Sequence, residues 1–226
     1  SIDTDVLGFQ VRESYKAART NIAYSILKKG CKKVAFTSST KSEGKTVTSI
    51  NVASALAQQV DTKVLVVECD LRRPRVNTAL KIEPTPGLTN YLNDECSLED
   101  IIKDTKIDNL KAIAYGAIPP NPSELLASEA MAYLIKTVEK EYDYIIFDTP
   151  PVGIVIDAVP ILKASDGVVI VARNNSTTYP ELAKTVERTD AKIIGVILNR
   201  VKPQETRKGK GYYSRYGGYY SNSTKD

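Results

Sequence analysis

The 226-residue chain contains no histidine. Imidazole is therefore excluded as a metal ligand, and any general base must be another group, foremost a carboxylate. Cysteine is scarce: Cys31, Cys69 and Cys96 are odd in number and widely spaced. That excludes a disulfide frame or a zinc site and suits reduced thiols in a cytoplasm. No apolar run approaches the roughly 18 residues of a membrane span, and no signal-peptide pattern opens the chain. The first residue is Ser1 rather than Met, which reads as a portion of a longer protein. What remains is a length that fits one large α/β domain with a sizeable core.

A net charge on the body is lacking too. The whole chain carries +4, and all of that excess falls after Val201, where Lys202, Arg207, Lys208, Lys210, Arg215 and Lys225 face only Glu205 and Asp226. A nucleic-acid binder more often carries a basic patch on its folded part, so no nucleic-acid partner is expected. Apolar periodicity also stops at Val201, and residues 202–226 read as a mobile tail behind a domain at 1–201.

The strongest positive signal is Val34-Ala-Phe-Thr-Ser-Ser-Thr-Lys-Ser-Glu-Gly-Lys-Thr46. An apolar strand breaks into a polar turn and ends in Gly-Lys-Thr before a helical pattern, the layout of a P-loop. Backbone N–H groups of such a turn converge on a phosphate, aided by the helix dipole. Gly44 admits close approach, Lys45 supplies charge for the β/γ-phosphates, and the Thr46 hydroxyl suits Mg²⁺. Ser39 holds the position of the motif's first glycine. ATP is thus expected against Ser39, Thr40, Lys41, Ser42, Glu43, Gly44, Lys45, Thr46 and Val47.

Short apolar runs at 34–37, 63–69, 144–147, 167–172 and 192–198 read as five strands. Helices are expected at 10–28, from the P-loop to 58, at 158–164 and 180–189, and from 123 to 141 with Ser123 as N-cap. The stretch 74–113 is less regular, with short helical pieces at 88–92 and 98–102. Strands alternating with helices predict a three-layer α/β/α fold around a mostly parallel sheet. Ligands gather at the carboxyl ends of such strands. There the chain places Glu68, Asp70 and Asp148, expected to converge near Lys45. Asp148 fits the acid that holds Mg²⁺, with Thr46 and Asp70 as further ligands. Asp70 and Glu68 suit either metal positioning or acceptance of a proton. Arg72 fits phosphate neutralisation and a surface salt bridge equally, and Asn199 fits an adenine contact and a plain turn equally.

The tail holds Tyr212, Tyr213, Tyr216, Tyr219 and Tyr220 within nine residues. Burial does not account for them. Three readings stay open: base stacking, a sticky end, or hydroxyls presented to a kinase. Phosphorylating all five would add about −7.5 to −10 charges and reverse the tail's sign.

Taken together, these boxes resemble the bacterial tyrosine kinases of capsular and exopolysaccharide synthesis, within the MinD/ParA-like P-loop NTPases. Ser38 to Lys45 is similar to that family's Ser-Ser-x-x-x-Glu-Gly-Lys loop. Asp70 and Arg72 match its Asp-x-Asp-x-Arg box, with Glu68 in place of the first Asp. Asp148 to Pro151 matches its Asp-Thr-Pro-Pro box, and Pro120-Asn-Pro-Ser-Glu-Leu-Leu126 resembles another segment. Glu13, Lys16 and Arg19 resemble its Glu-x-x-Arg-x-x-Arg oligomerisation motif, with Lys16 for the first Arg. Three- and six-residue spacing sets them roughly on one helix stripe, which also reads as a plain solvated face.

The resemblance implies an enzyme that uses ATP and Mg²⁺ to phosphorylate its own tail in trans within a ring-like homo-oligomer. Lys45, Asp70, Glu68 and Asp148 are the implied catalytic residues. It also implies a membrane activator of the chain-length-regulator type, separate or fused, a tyrosine phosphatase as partner, and a place at the inner face of the cell membrane. The rival is a partition-type ATPase without kinase activity. Those carry a second lysine five residues before the P-loop lysine, where this chain has Thr40, with Lys41 one position off. A nucleotide-gated scaffold is the non-enzymatic alternative.

Overall fold

A computed structural model describes residues 8–201 of the chain. The five tail tyrosines and the remaining tail residues lie outside the described residues.

The elements run α1 (Phe9–Ser25), β1 (Lys32–Ser38), α2 (Lys45–Ala57), β2 (Val64–Glu68), α3 (Val76–Leu80), α4 (Leu88–Leu92), α5 (Leu98–Ile101), β3 (Ile102–Asp104), β4 (Leu110–Ile113), α6 (Pro122–Leu126), α7 (Glu129–Val138), β5 (Tyr144–Asp148), α8 (Val159–Ala164), β6 (Gly167–Arg173), α9 (Tyr179–Thr189) and β7 (Ile193–Asn199). They build one seven-stranded sheet in the order β3-β4-β2-β5-β1-β6-β7. Every neighbouring pair is parallel except β3 with β4.

Alternation along the strands divides the core into two layers. Val34 and Phe36 of β1, Val64 and Val66 of β2 and Ile146 of β5 point to the layer that holds Ile22 of α1, Ile50 and Leu56 of α2 and Leu80 of α3. Ala35, Leu65, Val67, Ile145 and Phe147 point the other way, onto Leu88, Leu126, Met131, Leu134 and Ile161. Both faces of the sheet are therefore covered, which is why its central strands are near-continuous apolar runs. The three-layer α/β/α expectation holds.

Several boundaries differ from the sequence reading. Helix α1 stops at Ser25 rather than 28, although Ile26 just beyond it stays buried. The expected helix at 123–141 is two helices. Pro122 starts α6, and after Leu126 the chain restarts at Ser128, whose hydroxyl accepts from Met131 N at 3.2 Å. Ser128, not Ser123, is the N-cap of the longer piece. Strands β3 and β4 and helix α3 lie in the stretch read as irregular. Residue 102 opens β3 instead of ending a helix.

The sheet's geometry positions the site. β1 and β5 lie side by side with Phe36 opposite Asp148, and β5 and β2 with Asp148 opposite Glu68. The P-loop and both acid-bearing exits therefore open at the carboxyl ends of three adjacent parallel strands.

Candidate active site

β1 ends in a turn shaped by two left-handed residues, Ser42 at φ +66° and Gly44 at φ +90°. Only glycine suits the second. A Cβ on Gly44 would lie 2.1 Å from the side-chain nitrogen of Asn199. Helix α2 starts directly on Lys45 and no side chain caps it, so its first amides remain available to an anion. The turn is held from outside. Glu43, 1% exposed, accepts the Thr40 amide at 2.8 Å on one oxygen and the Thr177 hydroxyl on the other. The Asn199 amide donates to the Glu43 carbonyl at 2.9 Å, and the Thr185 hydroxyl of α9 donates to Ser39 Oγ at 2.8 Å. Lys41 and Ser42 are exposed, and Val47 is half-exposed on α2.

Lys45 is buried with its ammonium 2.9 Å from Asp148 Oδ1 and 3.6 Å from Asp70 Oδ2. Burial by itself would lower the lysine's pKa. The charges of Asp148, Asp70 and Glu68 outweigh that and hold it above its ordinary value. Asp148 is fully buried, and it also accepts the Thr46 hydroxyl at 2.6 Å and the Ser49 hydroxyl at 3.2 Å. Burial raises the Asp70 carboxyl, and nearby Lys45 offsets part of the rise.

Glu68 does not join Lys45 in an ion pair. Its carboxylate turns along its own loop and accepts three backbone amides, Asp70 at 3.1 Å and Arg75 and Val76 at 2.7 Å each. It thereby fixes the loop carrying Asp70 and satisfies the start of α3, whose N-cap residue offers no side-chain bond. Burial, with Asp148 nearby, pushes this carboxyl up to about 8. All three acids thus lie near Lys45 as expected, but only Asp148 and Asp70 pair with it, while Glu68 is committed to the amides. Arg72 pairs with Asp157.

The cluster offers a hydroxyl and two carboxylates, all hard oxygen donors. That set fits Mg²⁺, which takes one or two protein carboxylates and fills the rest with water and phosphate oxygens.

On α1, Glu13 and Lys16 pair with each other at 2.7 Å. Arg19 instead turns inward, donating to the Ala55 carbonyl of α2 at 3.1 Å. The three do not form one outward stripe in the single chain.

The AAA domain family matches residues 31–194. Tyrosine-protein kinase YwqD of Bacillus subtilis is 38% identical over 217 residues, which cover 95% of this chain and 87% of that relative. The chain belongs to the bacterial tyrosine-protein kinases. The solved chimerical protein CapA2B2 superposes on this kinase with a TM-score of 0.79 at 34% identity, covering 84% of each chain. The septum site-determining protein MinD of Pyrococcus horikoshii, solved with Mg-ADP, gives 0.63 at 22% identity, covering 79% of this chain and 76% of that one. The latter likeness shows a shared fold.

Five residues of the kinase site escaped the sequence reading: Ser49, Gly153, Asp157, Thr177 and Thr185. Ser49 had a usable signal, one helical turn after Lys45 and Thr46. The others come from loops and α9, and only the fold brings Gly153, Thr177 and Thr185 to the P-loop and Asp157 to Arg72. A Cβ on Gly153 would lie 2.2 Å from the Ser39 carbonyl oxygen. The loop after Asp148 therefore rests directly on the P-loop backbone. Cys69, fully buried beside the acids, has its thiol pushed up by burial and is unreactive there.

Proposed function

We propose that this kinase transfers the γ-phosphoryl group of ATP to Tyr212, Tyr213, Tyr216, Tyr219 and Tyr220 of a neighbouring copy. The observation that carries the reading is the Lys45 ammonium clamped between Asp148 and Asp70 at the start of an uncapped helix. Phosphoryl transfer needs positioning and charge neutralisation more than covalent chemistry from the protein. Lys45 and the P-loop amides bind and orient the phosphates. Thr46, Asp148 and Asp70 would hold Mg²⁺, which when bound neutralises charge on the phosphate oxygens. Among the acids at the site, Asp70 is the one left to accept a phenol proton, because Glu68 already takes three amides.

The end of the body supports the reading: β7 stops at Asn199, whose amide contacts the P-loop, and residue 202 follows three residues later. Modification of the tail, we infer, regulates capsular or exopolysaccharide synthesis and export, with a membrane activator switching the kinase on and a tyrosine phosphatase resetting it. Among the described residues no helix is long and apolar enough to cross a membrane. A place at the membrane's inner face would come through the activator. In a ring of copies, Glu13 and Lys16 are the residues of the α1 motif free to turn outward.

The test is direct. The purified chain is incubated with Mg-ATP and its phosphates are mapped by mass spectrometry, with and without residues 202–226. Phosphotyrosine confined to the tail is expected. ATP turnover with no phosphotyrosine would support the partition-type ATPase instead.

A further inference from the structure

Asp157 is 3% exposed and lies outside the motifs above. Its carboxylate takes two donors from one guanidinium, Arg72 Nε and Arg72 Nη2, the second at 3.3 Å. The partners come from different strand exits. Arg72 sits two residues past Asp70 on the loop after β2, and Asp157 closes the loop that starts at Asp148 after β5. The pair therefore ties together the two loops whose carboxylates flank Lys45.

An arginine at a half-exposed rim position ordinarily samples many rotamers. Here the side chain is 52% exposed, yet its fork is seated on a carboxylate that is itself buried. Two N–H···O bonds fix a planar guanidinium in a way that a single-point ammonium cannot reproduce. Leaving a buried carboxylate unpaired is costly, so Asp157 holds the arginine firmly. The donors on Nη1 make no hydrogen bond among the described residues and stay available to an anion. The far end of the Asp157 loop is anchored as well, where Arg188 of α9 donates to the Gly153 carbonyl at 2.6 Å.

We propose that Asp157 is a positioning residue for phosphoryl transfer. It locks the Arg72 guanidinium beside the Asp70 carboxylate, with its remaining donors directed to the charge that develops on the phosphoryl group in flight. Asp157 touches neither nucleotide nor tyrosine and acts through Arg72.

The proposal rests on the kinase reading, and the experiment separates the two. The full chain and the variants Asp157→Asn, Asp157→Glu, Arg72→Lys and the Asp157→Asn/Arg72→Lys double are assayed for phosphotyrosine formation across a range of Mg-ATP concentrations. Asp157→Asn and Arg72→Lys are each expected to lose at least about tenfold in kcat with KM for ATP within about threefold, as misplacement of one oriented group does. The double variant should be no worse than the poorer single, because both changes break the same unit. Asp157→Glu should recover part of the loss. Arg72→Lys guards against misfolding, since it changes an exposed side chain and keeps the charge. Multiplicative losses in the double, or unchanged kcat in Arg72→Lys, would overturn the proposal. Absence of phosphotyrosine in the unmodified chain would overturn the kinase reading and this proposal with it.

Discussion

Two residues of this site show how one carboxylate serves several donors. Asp148 is fully buried and carries Lys45, Thr46 and Ser49 at once. Replacing Lys45 with methionine removes the point charge and leaves Asp148 with hydroxyl donors only. The expected result is a loss of at least about 10²-fold in phosphotyrosine formation, comparable to losing one preorganised transition-state donor. Initial-rate labelling from γ-labelled ATP measures it, and near-normal labelling in Lys45→Met would contradict the assigned role.

Glu68 illustrates what residue identity alone conceals. An acid at a strand end next to a P-loop reads as a metal ligand or a base, and its period-two relation to Asp70 strengthens that reading. The side chain instead spends its oxygens on the amides of Asp70, Arg75 and Val76. That could not be read from spacing, because it depends on the path of a loop that returns to its own start. Glu68→Gln puts an N–H₂ group against backbone amides and leaves buried donors without an acceptor. A loss of about 1.5–3 kcal/mol is expected, or a fall in Tm on the order of 2–4 °C per kcal/mol for a chain of this size. Thermal unfolding checks this. Were Glu68 the proton acceptor, the variant would keep its Tm and lose only turnover.

At the scale of elements, the sequence was most legible where a strand feeds a motif with fixed spacing and least legible where two short elements abut. The five strands at 34–37, 63–69, 144–147, 167–172 and 192–198 all appear, because buried parallel strands are apolar runs bounded by turns. β3 and β4 were missed. β3 has three residues and β4 four, too few for a periodic signal. The single helix expected at 123–141 breaks at Ala127–Ser128, since a hydroxyl cap inside a continuous apolar pattern does not interrupt periodicity. The loop between β5 and α8 has a consequence that can be tested. Gly153 is the contact point between that loop and the P-loop, and its added methyl would meet backbone rather than a movable side chain. Gly153→Ala is expected to destabilise the fold by about 1–3 kcal/mol, as overpacking does, and to weaken ATP binding by displacing Ser39. Denaturant unfolding and nucleotide titration would report the two effects separately. A neutral variant would show that the two loops separate freely.

At the scale of the whole molecule, the question is which chain's tail enters which site. Asn199 ends β7 against the Glu43 carbonyl, so the tail starts beside its own P-loop. The 13 residues from Asn199 to Tyr212 can span at most roughly 45 Å when extended. Reach alone therefore permits a chain to phosphorylate itself, and a linked acceptor would enjoy a high effective concentration. What favours transfer to a neighbour is the resemblance to the capsular tyrosine kinases, which implies modification in trans. The two routes give opposite results in a mixing experiment. A Lys45→Met chain with an intact tail is combined with an active chain whose five tail tyrosines are phenylalanine. Transfer between copies puts phosphate on the Lys45→Met chain, at an initial rate per active chain that rises with its concentration. Transfer within one chain leaves it unlabelled at every concentration, and the wild-type rate per molecule then becomes independent of dilution. The first outcome is expected. It would also locate the functional unit in the assembly rather than in the monomer, because the cradle of one copy would be working on the phenol of another.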